Sequence, residues 1–255
     1  MSGAIGTNRI INVARDSLID LWTFEKAFSN SRIYGRHRGL EILITGTSGN
    51  LSFGTDFGYL DGLSPARFLS GTTGVAAGQT MSFYSPELEN RLNGQEFSGA
   101  FFVKSTPEWW AHTPSAALNF FNINMTGTLT NTIQARRETT PNVISLVYAA
   151  TGGTSQQINL TVTQGGDWIG VGITISKSLN RFYGYLFQQG NRTLTRSNAG
   201  NVGGGTWDNT GMLNRNRVVI GAVVINSAVI QANITHFAIW NRALTEFEMA
   251  KVFGF

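Results

Sequence analysis

The side chains able to do chemistry in this 255-residue chain are few, and their spacing argues against a reaction centre. Hydrolysis of a glycosidic bond needs two carboxyl groups flanking that bond, which on a strand means acidic residues two or four apart on a shared face. Glu87 and Glu89 have the spacing but follow Pro86 in a turn-like Ser-Pro-Glu-Leu-Glu-Asn run, and Glu246 and Glu248 fall in a helical pattern. His37, His112 and His236 are too scattered for a zinc site. His236 alternates with Ile234 and Ala238 on a strand pattern and reads as a structural histidine. A serine elbow of the Gly-x-Ser-x-Gly type is absent, and Gly203-Gly204-Gly205-Thr206 lacks the lysine of a phosphate cradle. The chain has no cysteine, which removes thiol nucleophiles, thiolate metal sites and disulfides together. It is read as non-enzymatic.

Binding chemistry has better candidates. Glu108-Trp109-Trp110-Ala111-His112 sets adjacent indoles between Pro107 and Pro114. In an extended segment neighbouring side chains point opposite ways, so at least one indole would face solvent. Gly204-Gly205-Thr206-Trp207-Asp208-Asn209 places an indole beside amide and carboxylate acceptors, a mixture that stacks on a sugar face and hydrogen-bonds its hydroxyls. Trp109, Trp110, Trp207, Asp208 and Asn209 are therefore the candidate glycan-binding residues. The competing reading is that these tryptophans cover a core edge or a subunit interface.

The elements that would carry such loops are strands. With 42% hydrophobic and 13% charged residues, and 17 Phe and 6 Trp, the chain can bury a large core. Short β-rich runs bounded by Gly, Asn, Ser and Thr are expected at Leu18 to Phe24, Gly39 to Ile44, Phe97 to Lys104, Ala117 to Asn124, Asn142 to Ala150, Gln157 to Thr163, Trp168 to Ile175, Arg181 to Phe187 and Asn233 to Trp240. Gln157-Ile158-Asn159-Leu160-Thr161-Val162-Thr163 alternates polar and apolar residues strictly, the mark of a half-buried antiparallel strand. The one convincing helix is at the end, where Thr245 is the expected N-cap, Glu246 and Glu248 suit the dipole, and Met249, Val252 and Phe253 form an apolar stripe. Glycine clusters are too short for interdomain tethers, so residues 16–255 are expected to form one domain, with residues 1–15 an arm or a frayed terminus.

Charge and hydropathy bound the partners. The net charge is +4, but the arginines are spread as isolated pairs such as Arg36 and Arg38, Arg136 and Arg137, and Arg215 and Arg217. Nucleic-acid binding needs cations converging on one groove, so no nucleic-acid partner is expected. No run of 18 apolar residues occurs, and Arg9 and Arg15 bracket only a short apolar stretch near the start. Neither a membrane span nor an export signal is expected.

The C-terminal run from Asn233 to Phe253 resembles the closing segment of laminin-G-like, concanavalin A-like domains. Asn241-Arg242-Ala243-Leu244 matches the family's element residue for residue, followed by Thr245 as the cap and Glu248 in the first helical turn. Asp167-Trp168 to Thr174, then Arg181 to Gly190, is similar to the family's Trp-containing strand and its hairpin partner; Leu18 to Phe24 is similar to its opening strand, and Phe97 to Lys104 to a later core strand. The resemblance spans roughly residues 16 to 255, with a loose fit over 105 to 165. It implies an all-β, jelly-roll β-sandwich of two antiparallel sheets with a short C-terminal helix. Trp168 and Trp240 are expected to pack in that fold. The Glu-x-Asp-x-Glu pattern of the related glucan hydrolases is missing. Calcium is common among such relatives and needs several oxygen ligands; Asp56, Asp61 and Asp208 are the weak candidates, and no cofactor is otherwise expected.

Cysteine-free, stand-alone versions resemble domains of bacteriophage tail and capsid-decorating proteins, which need no export signal. The expectation is a virion structural protein, tail or capsid-decorating, that assembles as a homo-oligomer with other virion proteins and adheres to cell-surface glycan. The alternatives are a bacterial carbohydrate-binding module or degenerate glycoside hydrolase, and a purely architectural capsid clamp.

Overall fold

The computed structural model describes residues 9–24, 32–45, 51–53, 66–68, 80–83, 88, 91–114, 116–124, 131–163, 165–207, 218–220 and 232–255. These form two eight-stranded antiparallel sheets packed face to face, the jelly-roll sandwich that the family resemblance implies. In chain order the strands are β1 (Leu18–Trp22), β2 (Arg32–Tyr34), β3 (Glu41–Thr45), β4 (Leu51–Phe53), β5 (Ala66–Phe68), β6 (Thr80–Phe83), β7 (Glu96–Lys104), β8 (Leu118–Asn124), β9 (Thr132–Arg137), β10 (Val143–Ala149), β11 (Gln156–Thr161), β12 (Ile169–Ser176), β13 (Arg181–Gln188), β14 (Thr193–Asn198), β15 (Val218–Ile220) and β16 (Ala232–Trp240). Among the described residues, α1 (Pro107–Ala111), α2 (Glu246–Phe253) and a 3-10 turn over Arg15–Ser17 accompany them. The first sheet runs β14-β13-β12-β7-β16-β5-β4 with β1 also paired to β16; the second runs β11-β10-β9-β8-β15-β6-β3-β2.

The core between the sheets is aromatic. Phe101 meets Phe121 edge-on at 5.8 Å between ring centres, and Phe121 lies 5.4 Å from Phe237. Such contacts add specific geometry to a large hydrophobic contribution. A second apolar layer covers the outer face of the first sheet, where α2 lays Met249, Val252 and Phe253 over β7 and β12. Gly170 and Gly172 make that approach possible: a Cβ on Gly170 would sit 2.6 Å from the Phe253 ring, and one on Gly172 would sit 2.7 Å from the Met249 sulfur. Thr245 caps α2 in a reciprocal capping box with Glu248, as its sequence anticipates, and Gly254 ends the helix at φ 93°.

Ile10 and Val13 belong to this second layer, and Trp240 Nε1 donates to the Val13 carbonyl at 2.9 Å. A helical turn over 9–12 brings Ile10 and Val13 onto one face against this layer, while residues 1–8 of the expected arm or frayed terminus lie outside the described residues. Trp168 and Trp240 are both buried, the packing role expected of them. His236 is 1% exposed and occupies a bulge with φ 52°. Its Nδ1 is 2.9 Å from the Thr235 hydroxyl, which itself donates to the Thr23 carbonyl. With the hydroxyl proton spent, His236 Nδ1 carries the proton of that contact, a structural role.

Strands β2, β4, β5, β6, β9, β14 and β15 lie outside the sequence expectation. β9 puts Ala135 and Arg137 at inward positions, so its apolar alternation is weak; β14 is a largely exposed edge strand with no apolar face to read.

Candidate functional site

Tertiary packing separates the tryptophans singled out in the sequence. The Trp109-Trp110 segment is not extended. Thr106 accepts from Trp109 N at 3.2 Å as the N-cap, Pro107 takes the first helical position, and the result is α1. Trp110 is fully buried, 6.1 Å from Phe120, and a Cβ on Gly165 would come within 2.9 Å of its ring. Trp109 is half-buried, with the Arg137 guanidinium 4.7 Å from its ring centre. Arg137 Nη2 donates to the carbonyls of Trp110 and His112, and desolvation by burial draws the guanidinium pKa below its ordinary value.

Trp207 is only 9% exposed and stacks on Tyr148 at 6.2 Å between ring centres, with 12° between planes. A Cβ on Gly94 would fall 2.0 Å from the same indole. Burial pushes the Tyr148 hydroxyl up to about 12. Trp110 lies at the start of β10, where Asn142 N donates to its carbonyl, and Trp207 lies against Tyr148 near the other end. At about 3.3 Å per residue the two sites are roughly 20 Å apart. They form no common platform. Asp56, Asp61, Asp208 and Asn209 lie outside the described residues; among those described, no group of three or more His, Asp or Glu could hold a metal ion.

Two other polar surfaces remain. On the outer face of the second sheet, the polar half of the alternating strands forms a continuous array. Register aligns Asn159, Ser145, Arg136 and Asn119 in one row across β11, β10, β9 and β8. In the adjoining row, Gln157, Gln134 and Asn122 flank Val147. Gln157 Nε2 donates to Ser145 Oγ at 3.0 Å and to Asn159 Oδ1 at 2.9 Å, and Ser145 Oγ donates to Asn159 Oδ1 at 2.6 Å. Arg136 Nη2 donates to Gln157 Oε1 at 3.4 Å while its Nε holds Glu138 at 2.7 Å. Gln157, Asn159 and Thr161 are exposed, whereas Asn122, Thr132, Gln134 and Ser145 are buried. The exposed amides of Gln157 and Asn159, held in place by buried Ser145 and by Arg136, are suited to hydrogen-bonding vicinal hydroxyls. The sequence signal for it was the polar half of the Gln157-to-Thr163 alternation, whose apolar half identified the strand.

The second surface is a groove of about 280 Å³ between the outer face of the first sheet and the start of α2, lined by Thr174, Arg181, Tyr183, Tyr185, Arg196 and Glu246 among others. Arg196 pairs with Glu246 and stands 4.9 Å from the Tyr183 ring centre.

No protein-family profile matches the sequence, and no curated protein matches it. Solved structures share its fold. Domain 4 of AbnA, an extracellular arabinanase from Geobacillus stearothermophilus solved with arabinotriose, superposes with a TM-score of 0.58 at 12% identity, covering 92% of this chain and 98% of that one. Trypanosoma rangeli sialidase, with its inhibitor DANA, gives 0.58 at 12% identity over 92% of this chain and 32% of its own. The enzymatically active domain of bacteriophage CBA120 tailspike protein 2 gives 0.52 at 10% identity over 91% of this chain and 32% of its own. The chain thus spans about a third of the sialidase and of the tailspike. At these identities the likeness shows a shared β-sandwich fold.

No helix among the described residues is long and apolar enough to cross a membrane.

Proposed function

We propose that this chain is a non-enzymatic carbohydrate-binding β-sandwich working as a structural, adhesive protein of a bacteriophage virion. The observation that carries the carbohydrate reading is the cross-linked array of Ser145, Gln157, Asn159 and Arg136 on the second sheet. Sugar recognition rewards donors and acceptors already oriented before the ligand arrives, because less ordering entropy is lost on binding. The carboxylates beside the two polar surfaces, Glu138 and Glu246, are each held by an arginine, which supports binding rather than acid–base chemistry. The laminin-G-like C-terminal element and the fold shared with a phage tailspike support the virion assignment, with homo-oligomers and other virion proteins as its partners.

The near end-to-end match with the arabinanase domain favours a second reading, a carbohydrate-binding module of a bacterial enzyme. Mass spectrometry of purified phage particles separates the two: a virion protein is recovered with the particles and a module is not. The sugar-binding reading is tested by titrating bacterial surface glycans against the native protein and a Gln157→Ala/Asn159→Ala variant. Saturable binding lost in the folded variant supports it. Equal binding by both proteins, or none by the native protein across a broad panel, refutes it and moves the weight to an architectural clamp.

A further inference from the structure

The geometry points to a separate binding site for an acidic sugar in the groove on the outer face of the first sheet. Its floor is built by cross-strand pairs: Thr174 of β12 lies opposite Tyr183 of β13, and Ser176 lies opposite Arg181. β14 supplies one wall, since Arg196 pairs across from Tyr185. The turn from Ala243 to Glu246 supplies the other wall, with Leu179 at the open end.

The charges in this groove are unbalanced. Glu246 is taken by Arg196, whose guanidinium also stands against Tyr183. The nearby Glu96 is held by the hydroxyls of Ser176 and Ser178 and by Ser178 N. Glu248 on α2 is held by Arg242 and by the cap of its own helix, so the helix start offers no open anion site. Arg181 is exposed and makes no ion pair among the described residues. Among the described residues lining the groove, Arg181 is the charged side chain without an ion-pair partner, beside two phenol rings; Glu96, opposite Ser176 on β7 and outside that lining, keeps its charge because its donors are neutral. Tyr183 is partly exposed, while Tyr185 is 1% exposed and hydrogen-bonded to the Thr174 hydroxyl.

That combination selects a ligand class. A planar guanidinium accepts a carboxylate through two parallel hydrogen bonds, and a phenol offers a ring to the apolar face of a pyranose together with a hydroxyl for its oxygens. A volume of about 280 Å³ admits one sugar ring rather than a long oligosaccharide. A pyranose bearing a carboxylate, such as a uronic acid residue within a glycan, meets all three requirements. The site is distinct from the amide array, which lies on the other sheet.

The test uses the whole chain and three probes, D-glucuronate, methyl glucoside and acetate, followed by NMR of the tyrosine ring resonances. Saturable shifts of Tyr183 are expected with glucuronate, with weaker effects from either probe lacking the ring or the charge. Arg181→Ala should weaken glucuronate binding about tenfold, the scale of a charge-assisted pair, and Arg181→Lys should restore only part of it. Gln157→Ala/Asn159→Ala should leave glucuronate binding unchanged, which separates this site from the proposed glycan array. No Tyr183 shift at millimolar glucuronate, equal binding of methyl glucoside or of acetate, or an Arg181→Ala variant that is folded and binds as the native protein does, would each overturn the assignment.

Discussion

Arg137 and Trp109 form one structural unit: the guanidinium lies 4.7 Å from the indole centre while its Nη2 closes the end of α1 through the carbonyls of Trp110 and His112. Arg137 is 1% exposed, so its charge is stabilised by carbonyl dipoles and an aromatic face in place of water. Removing the guanidinium leaves the His112 carbonyl without its donor and the Trp110 carbonyl with Asn142 N alone. Arg137→Met is expected to cost about 2–4 kcal/mol, read from urea unfolding followed by tryptophan fluorescence. Arg137→Lys should recover little, because an ammonium lacks the planar fork that reaches both carbonyls. A loss below about 0.5 kcal/mol for Arg137→Met, the ordinary range for surface substitutions, would contradict this role.

Trp207 is a packing residue, so its loss should be felt as instability. Trp207→Ala is expected to cost about 3–5 kcal/mol, and Gly94→Ala should also destabilise, since its Cβ would fall 2.0 Å from the indole. Thermal unfolding by circular dichroism checks both. Glycan affinity per folded molecule should stay that of the native protein; a specific loss of binding in a fully stable Trp207→Ala protein would return Trp207 to the sugar site.

Glu248 couples the C-terminal helix to pH. Its hydrogen bond from Arg242, helped by the backbone and hydroxyl of Thr245, holds the carboxyl at about 2, against an ordinary 4.5. A depressed folded-state pKa stabilises the protein above the unfolded value, and that stabilisation is lost as pH falls from about 4.5 toward 2. Arg242 is 39% exposed on its side chain, so screening reduces the effect to on the order of 1–2 kcal/mol. Unfolding free energies measured from pH 6 down to pH 2.5 should fall less steeply in Glu248→Gln than in the native protein. Parallel curves would show that the pair contributes nothing to acid sensitivity.

Asp20 is a buried acceptor for three backbone donors. Its Oδ1 accepts from Leu21 N and His37 N, and its Oδ2 from Leu40 N, each at 2.8 Å. This fixes the segment between β2 and β3 against β1. In Asp20→Asn one oxygen becomes an NH₂ facing an N–H donor, which should cost about 1–3 kcal/mol. Amide hydrogen exchange should localise the change: Leu40 and His37 lose protection while β12 keeps its own. Unaltered protection at Leu40 would mean that the carboxylate is dispensable.

Legibility differed by the kind of pattern. β11 and β12 are readable because a two-residue alternation is a local property that any half-buried strand must show. α2 is readable because Thr245, Glu248 and Gly254 each do a local job at its ends. β9 escaped because its inward positions hold Ala135 and Arg137, and α1 escaped because five residues are too short for a helical period. The indole candidates were chosen for their residue types, yet a large aromatic side chain serves a core as readily as a ligand, and sequence position does not separate the two.

Sequence alone determined the all-β sandwich, the capped C-terminal helix and the packing roles of Trp168, Trp240 and His236, since propensity, alternation and capping act between residues close in the chain. Only tertiary structure decided what lies on the surface. Trp110 meets Phe120, Arg137 meets Trp109, Gly94 meets Trp207, and Arg181 joins Glu246 around one groove across separations of 10 to 113 residues. Which side chains are covered, and which charges find partners, depends on strand register and sheet packing summed over the whole chain, and no local stretch of sequence contains that sum.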